Sequence, residues 1–290
     1  MPKTWFITGT STGFGRDLTE QLLSRGGRVA ATVRRRDALD ALAAQCGEQL
    51  WIRQLDVTDT AAIRTVVDDA FAELGRIDVV VSNAGYGLLG AAEEVTDEQI
   101  ERQLQTNVVG SIQLTRAVLP HLRAQGGGKI LQLSTMGGQA TFPGMSLYHA
   151  SKWAMEGFFD SVGQEVAPFG IQTCLVEPGG ARTDFAGRSL AMAPANEAYA
   201  GTPAAVVRAT AATRPTSAIP GDAHKMARAM IDAVDADELP RRLLLGSDAY
   251  RLVHAALSDR LAFVEAQHDI TVSTDADDYV PATASDYARA

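Results

Sequence analysis

A tyrosine and a lysine lie four residues apart, at Tyr148 and Lys152, in a stretch whose apolar spacing predicts one long helix over 147–167. Residues four apart share one face of a helix, so the phenol and the ammonium would face the same region. A phenol has an ordinary pKa of about 10, and a nearby ammonium favours the phenolate and lowers that pKa. The pair could therefore act as a general acid and base near neutral pH. The same spacing arises by chance in many helices, so its meaning depends on the elements around it.

A glycine-rich turn follows the first apolar run of the chain, Trp5–Ile7, and leads into a helical pattern. Glycines allow a tight turn and a close approach of the backbone to a pyrophosphate, and the helix N-terminus attracts the phosphates. An ordinary strand-to-helix turn can also be glycine-rich, but dinucleotide binding requires this position, after a strand and before a helix. The predicted cofactor contacts in the turn are Gly9, Ser11, Thr12, Gly13, Phe14 and Gly15.

The residues after the second apolar run decide between two cofactors. An acidic side chain there would bind the ribose hydroxyls of NAD, whereas an arginine would meet the 2′-phosphate of NADP. Val33 stands where the acid is expected, and Arg34 follows it. Because a guanidinium is a natural bidentate partner for phosphate, Arg34 predicts NADP(H) over NAD(H). For Arg36, a solvated basic turn is an equally good interpretation.

The apolar pattern also predicts the frame that positions these residues. Short apolar runs alternate with helical patterns as far as Pro178, which predicts an α/β fold of the Rossmann type, a doubly wound parallel sheet with helices on both faces. Predicted strands lie at 28–33, 50–55, 77–81, 129–133 and 171–176, a helix at 98–122, and, later, a helix at 223–233, a short apolar run at 242–245 and a helix at 249–266. We expect one domain over 1–270, including an irregular substrate-binding loop or lid at about 181–221, and a polar tail at 271–290.

In this order of elements, the sequence resembles the short-chain dehydrogenase/reductase family over residues 4 to about 184. The turn reads T-G-x-x-x-G-x-G from Thr8, and Tyr148-His149-Ala150-Ser151-Lys152 matches the family's Tyr-x-x-x-Lys signature. The resemblance implies that Asn107 holds a water on a proton relay. It also implies further cofactor contacts: Asp56 and Val57 at the adenine, Asn83, Ala84 and Gly85 bordering the cofactor, and Pro178, Gly179 and Thr183 at the nicotinamide amide.

The sequence departs from the family at the catalytic hydroxyl. The family places a serine 13 residues before its tyrosine, and that position holds Thr135, with Ser134 next to it. Either hydroxyl could donate a hydrogen bond to the substrate oxygen. We expect Thr135 to do so, and a shift of one residue in the loop would select Ser134.

The resemblance implies an NADP(H)-dependent oxidoreductase that interconverts a carbonyl and an alcohol, with Tyr148 transferring the proton and Lys152 lowering its pKa. A largely apolar ketone, aldehyde, or steroid-like or polyketide-like alcohol would fit the residues expected to line the pocket, which are Leu88, Phe142, Met145 and Phe185. Two alternatives stay open. One is a redox-sensing NADP-binding protein that has lost catalysis. The other is an epimerase or dehydratase of the related longer branch, whose turn reads T-G-x-x-G-x-x-G.

The composition argues against other classes of function. A formal net charge of -9 makes a general nucleic-acid binder unexpected, and no stretch predicts a signal peptide or a membrane span. Cys46 and Cys174 lie far apart and the histidines form no metal set, so we expect a cytoplasmic protein without a metal. His149 is expected to point elsewhere on its helix, in a surface or interface role. Trp153 and Phe158-Phe159 suggest an apolar helix face that forms a homodimer or homotetramer.

Overall fold

The central sheet has seven strands, all of them parallel. The computed structural model describes residues 2–280. In chain order its strands are β1 (Thr4–Thr8), β2 (Arg28–Val33), β3 (Leu50–Gln54), β4 (Val79–Ser82), β5 (Gly87–Leu89), β6 (Gly128–Leu133), β7 (Ile171–Pro178), β8 (Leu190–Met192) and β9 (Arg242–Leu245). The order across the large sheet is β3-β2-β1-β4-β6-β7-β9. The winding reverses between β1 and β4, so a topological switch point lies beside the glycine turn.

Helices cover both faces of this sheet. The helices of the described residues are, in chain order, α1 (Gly13–Ser24), α2 (Asp40–Cys46), α3 (Thr60–Leu74), α4 (Asp97–Leu104), α5 (Gly110–Ala124), α6 (Ser146–Val166), α7 (Phe185–Arg188), α8 (Pro203–Thr213), α9 (Ala223–Asp235), α10 (Ser247–Glu265) and α11 (His268–Val272). None of the helices in the described residues combines the length and the apolar character that crossing a membrane requires.

The strands are apolar on both sides because the sheet lies between two cores. Successive side chains of a strand point to opposite faces. Trp5 and Ile7 of β1 accordingly belong to the core under α1 and α9, whereas Phe6 between them belongs to the core under α3, α5 and α6. Val79, Val80 and Val81 follow the same alternation in β4. The predicted Rossmann-type architecture is therefore confirmed.

The segment 181–221, predicted to be irregular, contains regular structure. It forms α7, β8 and α8, and β8 pairs with β5 as a small parallel sheet. The alanine-rich run of α8 has high helix propensity, Pro203 occupies the start of the helix, and the Thr202 hydroxyl accepts from the N–H of Ala205. The prediction of an irregular segment was wrong because it relied on the amino-acid composition of the segment and not on these signals for the start of a helix.

Three smaller expectations also need correction. The predicted helix 98–122 is interrupted by a π-helical turn at Gln105–Val109, which separates α4 from α5. The boundary of the polar tail falls inside α11; residues 271–280 are exposed, and 281–290 lie outside the described residues. On α6, Trp153 is exposed, but Phe159 is buried in the core, so the apolar face of this helix is narrower than predicted.

Candidate active site

The predicted site residues follow the carboxyl ends of neighbouring strands. Gly9 comes after β1, Arg34 after β2, Asn83 after β4, Ser134 after β6 and Gly179 after β7. Because parallel strands end at the same edge of a sheet, these residues share that edge. Ligands of open α/β sheets bind in the crevice outside it, at the switch point.

The glycine turn is packed too closely for larger residues. Gly9 has a φ of +71° and Gly13 a φ of +57°, values that L side chains rarely adopt. A Cβ on Gly15 would lie 2.4 Å from the carbonyl oxygen of Gly9 and 2.6 Å from Nδ2 of Asn83. Asn83 in turn donates from Nδ2 to the oxygens of Thr8 and Gly9, at 2.9 and 3.1 Å. Asn83 therefore ties the turn to the end of β4, as expected of a residue that borders a cofactor.

The N-terminus of α1 fits an anionic ligand. Within the described residues the Thr12 side chain makes no capping hydrogen bond, and the first turn of α1 carries no acidic residue. The first backbone N–H groups of the helix therefore remain available to a phosphate. Phe14 packs against the core beneath the turn, and Ser11 is exposed at its tip. These features fit the pyrophosphate of a dinucleotide.

The loop after β7 reaches the same place. The Cβ of Thr183 lies 3.9 Å from the position that a Cβ on Gly13 would occupy, so two segments far apart in sequence meet across the crevice. A Cβ on Gly179 would lie 2.2 Å from Oδ1 of Asp248, which also accepts from the N–H of Gly180 through Oδ2 at 2.9 Å. Asp248, on α10, therefore fixes the loop that follows Pro178, and sequence reasoning missed it.

Arg34 and Asp56, the residues predicted to contact the adenosine part of a cofactor, follow β2 and β3 at the carboxyl edge of the sheet. Arg34 is exposed just beyond β2, whereas its neighbour Arg35 pairs with Asp37 at 2.7 Å. Asp56 accepts from the backbone and hydroxyl of Thr58, at 3.0 and 2.8 Å. These bonds, chiefly the backbone one, lower the pKa of Asp56, and the charge of Arg34 adds to the effect. Val57 follows, half-buried, against the start of α5.

Thr135 is the hydroxyl residue that accompanies Tyr148. Burial raises the pKa of Tyr148 to about 12, and the Thr135 hydroxyl next to it acts in the opposite direction. Thr135 Oγ1 also donates to the carbonyl of Pro178 at 3.2 Å and accepts from the N–H of Gly137 at 3.3 Å. Ser134 has another partner, because its hydroxyl donates to the buried carboxylate of Glu156. Of the two candidates, the geometry therefore favours Thr135.

Lys152 is buried one helical turn after Tyr148 and does not bond to it. Its Nζ donates to the carbonyl of Leu133 at 2.7 Å and lies 5.9 Å from the centroid of the Tyr148 ring. Burial lowers the pKa of Lys152 to about 8, while the charge of Glu156 acts in the opposite direction. Burial therefore dominates the pKa of Tyr148, and the Lys152 ammonium is directed at a backbone oxygen. The lowering of the Tyr148 pKa by Lys152 stays a prediction.

Asn107 lies in the π-helical turn and is fully buried. Its Nδ2 donates to Tyr86 O at 2.9 Å and to Ser151 Oγ at 3.1 Å, and its Oδ1 accepts from Tyr86 N at 3.1 Å. A Cβ on Gly85 would lie 3.1 Å from the same Oδ1. The amide protons of Asn107 thus join the chain after β4 to the helix of Tyr148, and its role in holding a relay water stays a prediction.

Phe185, one of the residues predicted to line a substrate pocket, lies close to the tyrosine. Its ring centroid is 6.3 Å from that of Tyr148, and its Cζ is 2.8 Å from where a Cβ on Gly87 would stand. Leu88 is buried in β5, so it lies beneath the surface of the predicted substrate pocket. Phe142 and Met145 are half-buried on the other side, before and at the start of α6.

His149 is buried, contrary to the expectation of a surface or interface role. It is 3% exposed, and its ring meets Phe142 edge-on at 4.5 Å. Among the described residues, neither ring nitrogen has a hydrogen-bond partner, and burial lowers the pKa of His149 to about 4. The glycine loop after Thr135 covers this side of α6, because a Cβ on Gly137 would stand 3.1 Å from the imidazole.

A buried ion pair attaches α8 to the body of the protein. Arg208 donates to Glu94 Oε2 at 2.6 Å and to the carbonyl of Ala193 at 2.7 Å. Glu94 also accepts from the N–H groups of Ala91 and Asn196, at 2.7 and 2.9 Å. The backbone bond from Asn196 is the chief reason that the pKa of Glu94 is lowered. The predicted lid segment is thus held by a charge that sequence reasoning did not select.

Comparison with known proteins identifies the family. Residues 3–194 match the family model of the short chain dehydrogenases. The chain belongs to this family. Oxidoreductase BOA17 of Botryotinia fuckeliana is 39% identical over 251 residues, which are 86% of this chain and 90% of that protein. A short-chain dehydrogenase from Streptomyces avermitilis has 38% identity and a TM-score of 0.88, covering 94% of this chain and 98% of that one.

Family membership makes the protein an oxidoreductase with a Rossmann-type fold. Some structural neighbours of the family fold hold NADP. One is ElxO with NADP bound, with a TM-score of 0.70 and 23% identity, covering 84% of this chain and 97% of that one. At this level of identity the likeness concerns the fold alone.

Proposed function

We propose that this short-chain dehydrogenase interconverts a carbonyl and an alcohol on a largely apolar small molecule, using NADP(H), with Tyr148 as the general acid and base. The observation that carries the proposal is the juxtaposition, at the switch-point edge of the sheet, of the buried Tyr148 hydroxyl and the half-buried Thr135 hydroxyl with Lys152 one turn further along α6. Two adjacent hydroxyls suit the two lone pairs of one carbonyl oxygen.

The cofactor part of the proposal rests on the glycine turn and on Arg34. The turn and the free N-terminus of α1 would hold the pyrophosphate, Asp56 the adenine amino group, and Thr183 the nicotinamide amide. Arg34 is exposed after β2, where Val33 rather than an acid ends the strand, which favours the 2′-phosphate of NADP. When bound, the nicotinamide would supply or accept the hydride.

The residues of the chain would hold the oxygen and move the proton. In reduction, the Thr135 and Tyr148 hydroxyls bind the substrate oxygen, and the Tyr148 phenol protonates it. With a pKa near 12 the phenol is fully protonated at neutral pH, and Lys152, with a pKa near 8, is mostly charged. Lys152 stabilises the phenolate that forms, and a water held at the Asn107 carbonyl returns the proton.

The test measures cofactor binding first and turnover second. Fluorescence titration with NADPH and NADH should give tighter binding of NADPH. A panel of apolar ketones and aldehydes should then include at least one that oxidises NADPH. The Tyr148→Phe variant removes the phenol hydroxyl and keeps the ring, so it should keep the NADPH affinity and lose nearly all turnover. Tight NADPH binding with no turnover on the panel would favour the redox sensor, and near-normal turnover of Tyr148→Phe would refute the role of the tyrosine.

A further inference from the structure

Glu156 extends the catalytic stripe of α6 by one turn. Tyr148, Lys152 and Glu156 are spaced four residues apart, so they follow one face of the helix. Glu156 is 6% exposed. A buried carboxylate is costly unless it has hydrogen bonds and an opposite charge, so its retention beside a buried lysine needs a physical reason.

Two consecutive residues at the end of β6 hold Lys152 and Glu156. The carbonyl of Leu133 accepts from Lys152 Nζ at 2.7 Å, and the hydroxyl of Ser134 donates to Glu156 Oε1. A Cβ on Gly138 would stand 2.6 Å from the same Oε1, so the loop after β6 closes over the carboxylate. The ammonium of Lys152 and the carboxylate of Glu156 are therefore both held by the end of β6.

A second buried carboxyl lies beside Glu156, on β7. Glu177 of β7 is 1% exposed and accepts from Gln139 Nε2 at 2.6 Å. Arg242 of β9 reaches both acids: it lies 3.1 Å from Glu156 Oε2 and 3.1 Å from Glu177 Oε1. Two buried carboxylates therefore share one guanidinium, and Lys152 supplies the second positive charge.

The other groups that face this cluster do not cancel its charge. Asp160, on α6, is a third carboxylate that pairs with Arg242, at 2.7 Å. Cys174, on β7, remains a neutral thiol, because burial and then Glu177 raise its pKa to about 12. Burial, and next the charge of Glu156, raise the pKa of Glu177 to about 7, so Glu177 is the acid that takes up a proton near neutral pH.

We propose that Glu156 is a positioning residue for Lys152: its carboxylate, held by Ser134 and Arg242, keeps the ammonium charged and directed at the end of β6. The inference rests on the proposed function only for the catalytic role of Lys152, because the electrostatic link between Glu156 and Lys152 does not depend on any reaction.

The link is tested by nuclear magnetic resonance of the lysine side chains. With 13Cε-labelled lysine the signals come from Lys3, Lys129, Lys152 and Lys225, and the one that disappears in Lys152→Arg is assigned. In Glu156→Gln the titration midpoint of Lys152 should fall by about one pH unit or more, as expected when an opposite charge four residues away on the same helix face is removed from a buried site.

Two matched variants separate the charge from the packing. Glu177→Gln removes a carboxyl from the same cluster, and it should move the Lys152 midpoint less than half as far, because Glu156 is the charge that raises the pKa of that lysine. Glu156→Asp keeps the charge and should restore most of the shift. An unchanged midpoint in Glu156→Gln, or an equal shift in Glu177→Gln, would overturn the proposal.

If Glu156→Gln fails to fold, the link between Glu156 and Lys152 can still be tested from the lysine side. Coupling between two sites is symmetric, so removing the ammonium must raise the pKa of the carboxyl pair. In Lys152→Met the 13Cδ glutamate signals of the pair should titrate at higher pH than in the wild type, and identical titrations would refute the link. A chain that turned over no carbonyl but showed both shifts would contradict the proposed function and leave the coupling intact.

Discussion

The adjacent hydroxyls Ser134 and Thr135 offer a sharp test of the site, because the structure gives them different partners. Thr135→Val removes the hydroxyl and keeps the branched shape. Removing one donor to a developing oxyanion costs about 100- to 1000-fold in kcat. Thr135 Oγ1 otherwise makes two hydrogen bonds longer than 3 Å, to Pro178 and Gly137, so the loss of unfolding free energy should be only about 1 kcal/mol.

Ser134→Ala should show the opposite pattern. The lost bond goes to the buried carboxylate of Glu156, so the free energy of unfolding should fall by about 1.5–3 kcal/mol. No group that touches the substrate oxygen is removed, so kcat should fall less than about tenfold.

The assay combines steady-state kinetics on the best carbonyl of the panel with NADPH fluorescence titration and urea unfolding of the same samples. The NADPH affinity should stay unchanged in both variants, since neither hydroxyl belongs to the glycine turn. A 100-fold loss of kcat in Ser134→Ala together with near-normal kcat in Thr135→Val would reverse the assignment. The family's usual spacing would then be shifted by one residue in this chain.

Three further outcomes follow from the described contacts. Arg34→Ala should weaken NADPH binding by about 10-fold or more and leave NADH binding nearly unchanged, as lost charge-assisted bonds predict; Arg36→Ala is the control, and equal losses for both cofactors would make Arg34 a solvated charge. Arg208→Met should leave the Glu94 carboxylate without its cation and loosen the attachment of α8. Because α8 belongs to the predicted lid, KM should rise more than kcat falls. An unchanged KM would show that α8 does not contribute to substrate binding. Because Lys152 acts in its charged form and its pKa is about 8, kcat/KM for reduction should be flat below that pH and fall about tenfold per pH unit above it; a flat profile to pH 10 would show that the ammonium is dispensable.

Local patterns in the sequence predicted the sheet correctly and supplied most of the residues of the proposed site. The spacing of Tyr148 and Lys152, and the glycines that open α1, are short-range features that keep their meaning in the folded chain. Apolar runs at the strands predicted burial on both faces, because only a covered parallel sheet makes both sides of a strand apolar.

The remaining features depend on contacts between distant segments. Lys152 is directed at the backbone carbonyl of Leu133, an atom that every residue type provides, so no side-chain pattern could reveal it. His149 is buried by a loop whose path cannot be inferred from the helix alone. Glu156 was visible as the third member of a four-residue spacing, but its partners Glu177 and Arg242 come from other strands. The missed helix α8 had a local signal in Thr202 and Pro203.

The π-helical turn at Gln105–Val109 carries a cost and a benefit at once. Such a turn is an α-helix with one additional residue, so α4 and α5 would form a single regular rod if one residue were deleted from it. That rod would gain regular hydrogen bonds, but each residue of an α-helix turns the chain by about 100°, so the segments on either side would rotate relative to each other. Asn107 would then lose either Tyr86 or Ser151, and the chain beside the crevice would separate from the helix of Tyr148. The π-helical turn thus contains one residue more than a regular helix needs. Removing that residue would make the helix more regular but would break the contacts that Asn107 makes beside the crevice.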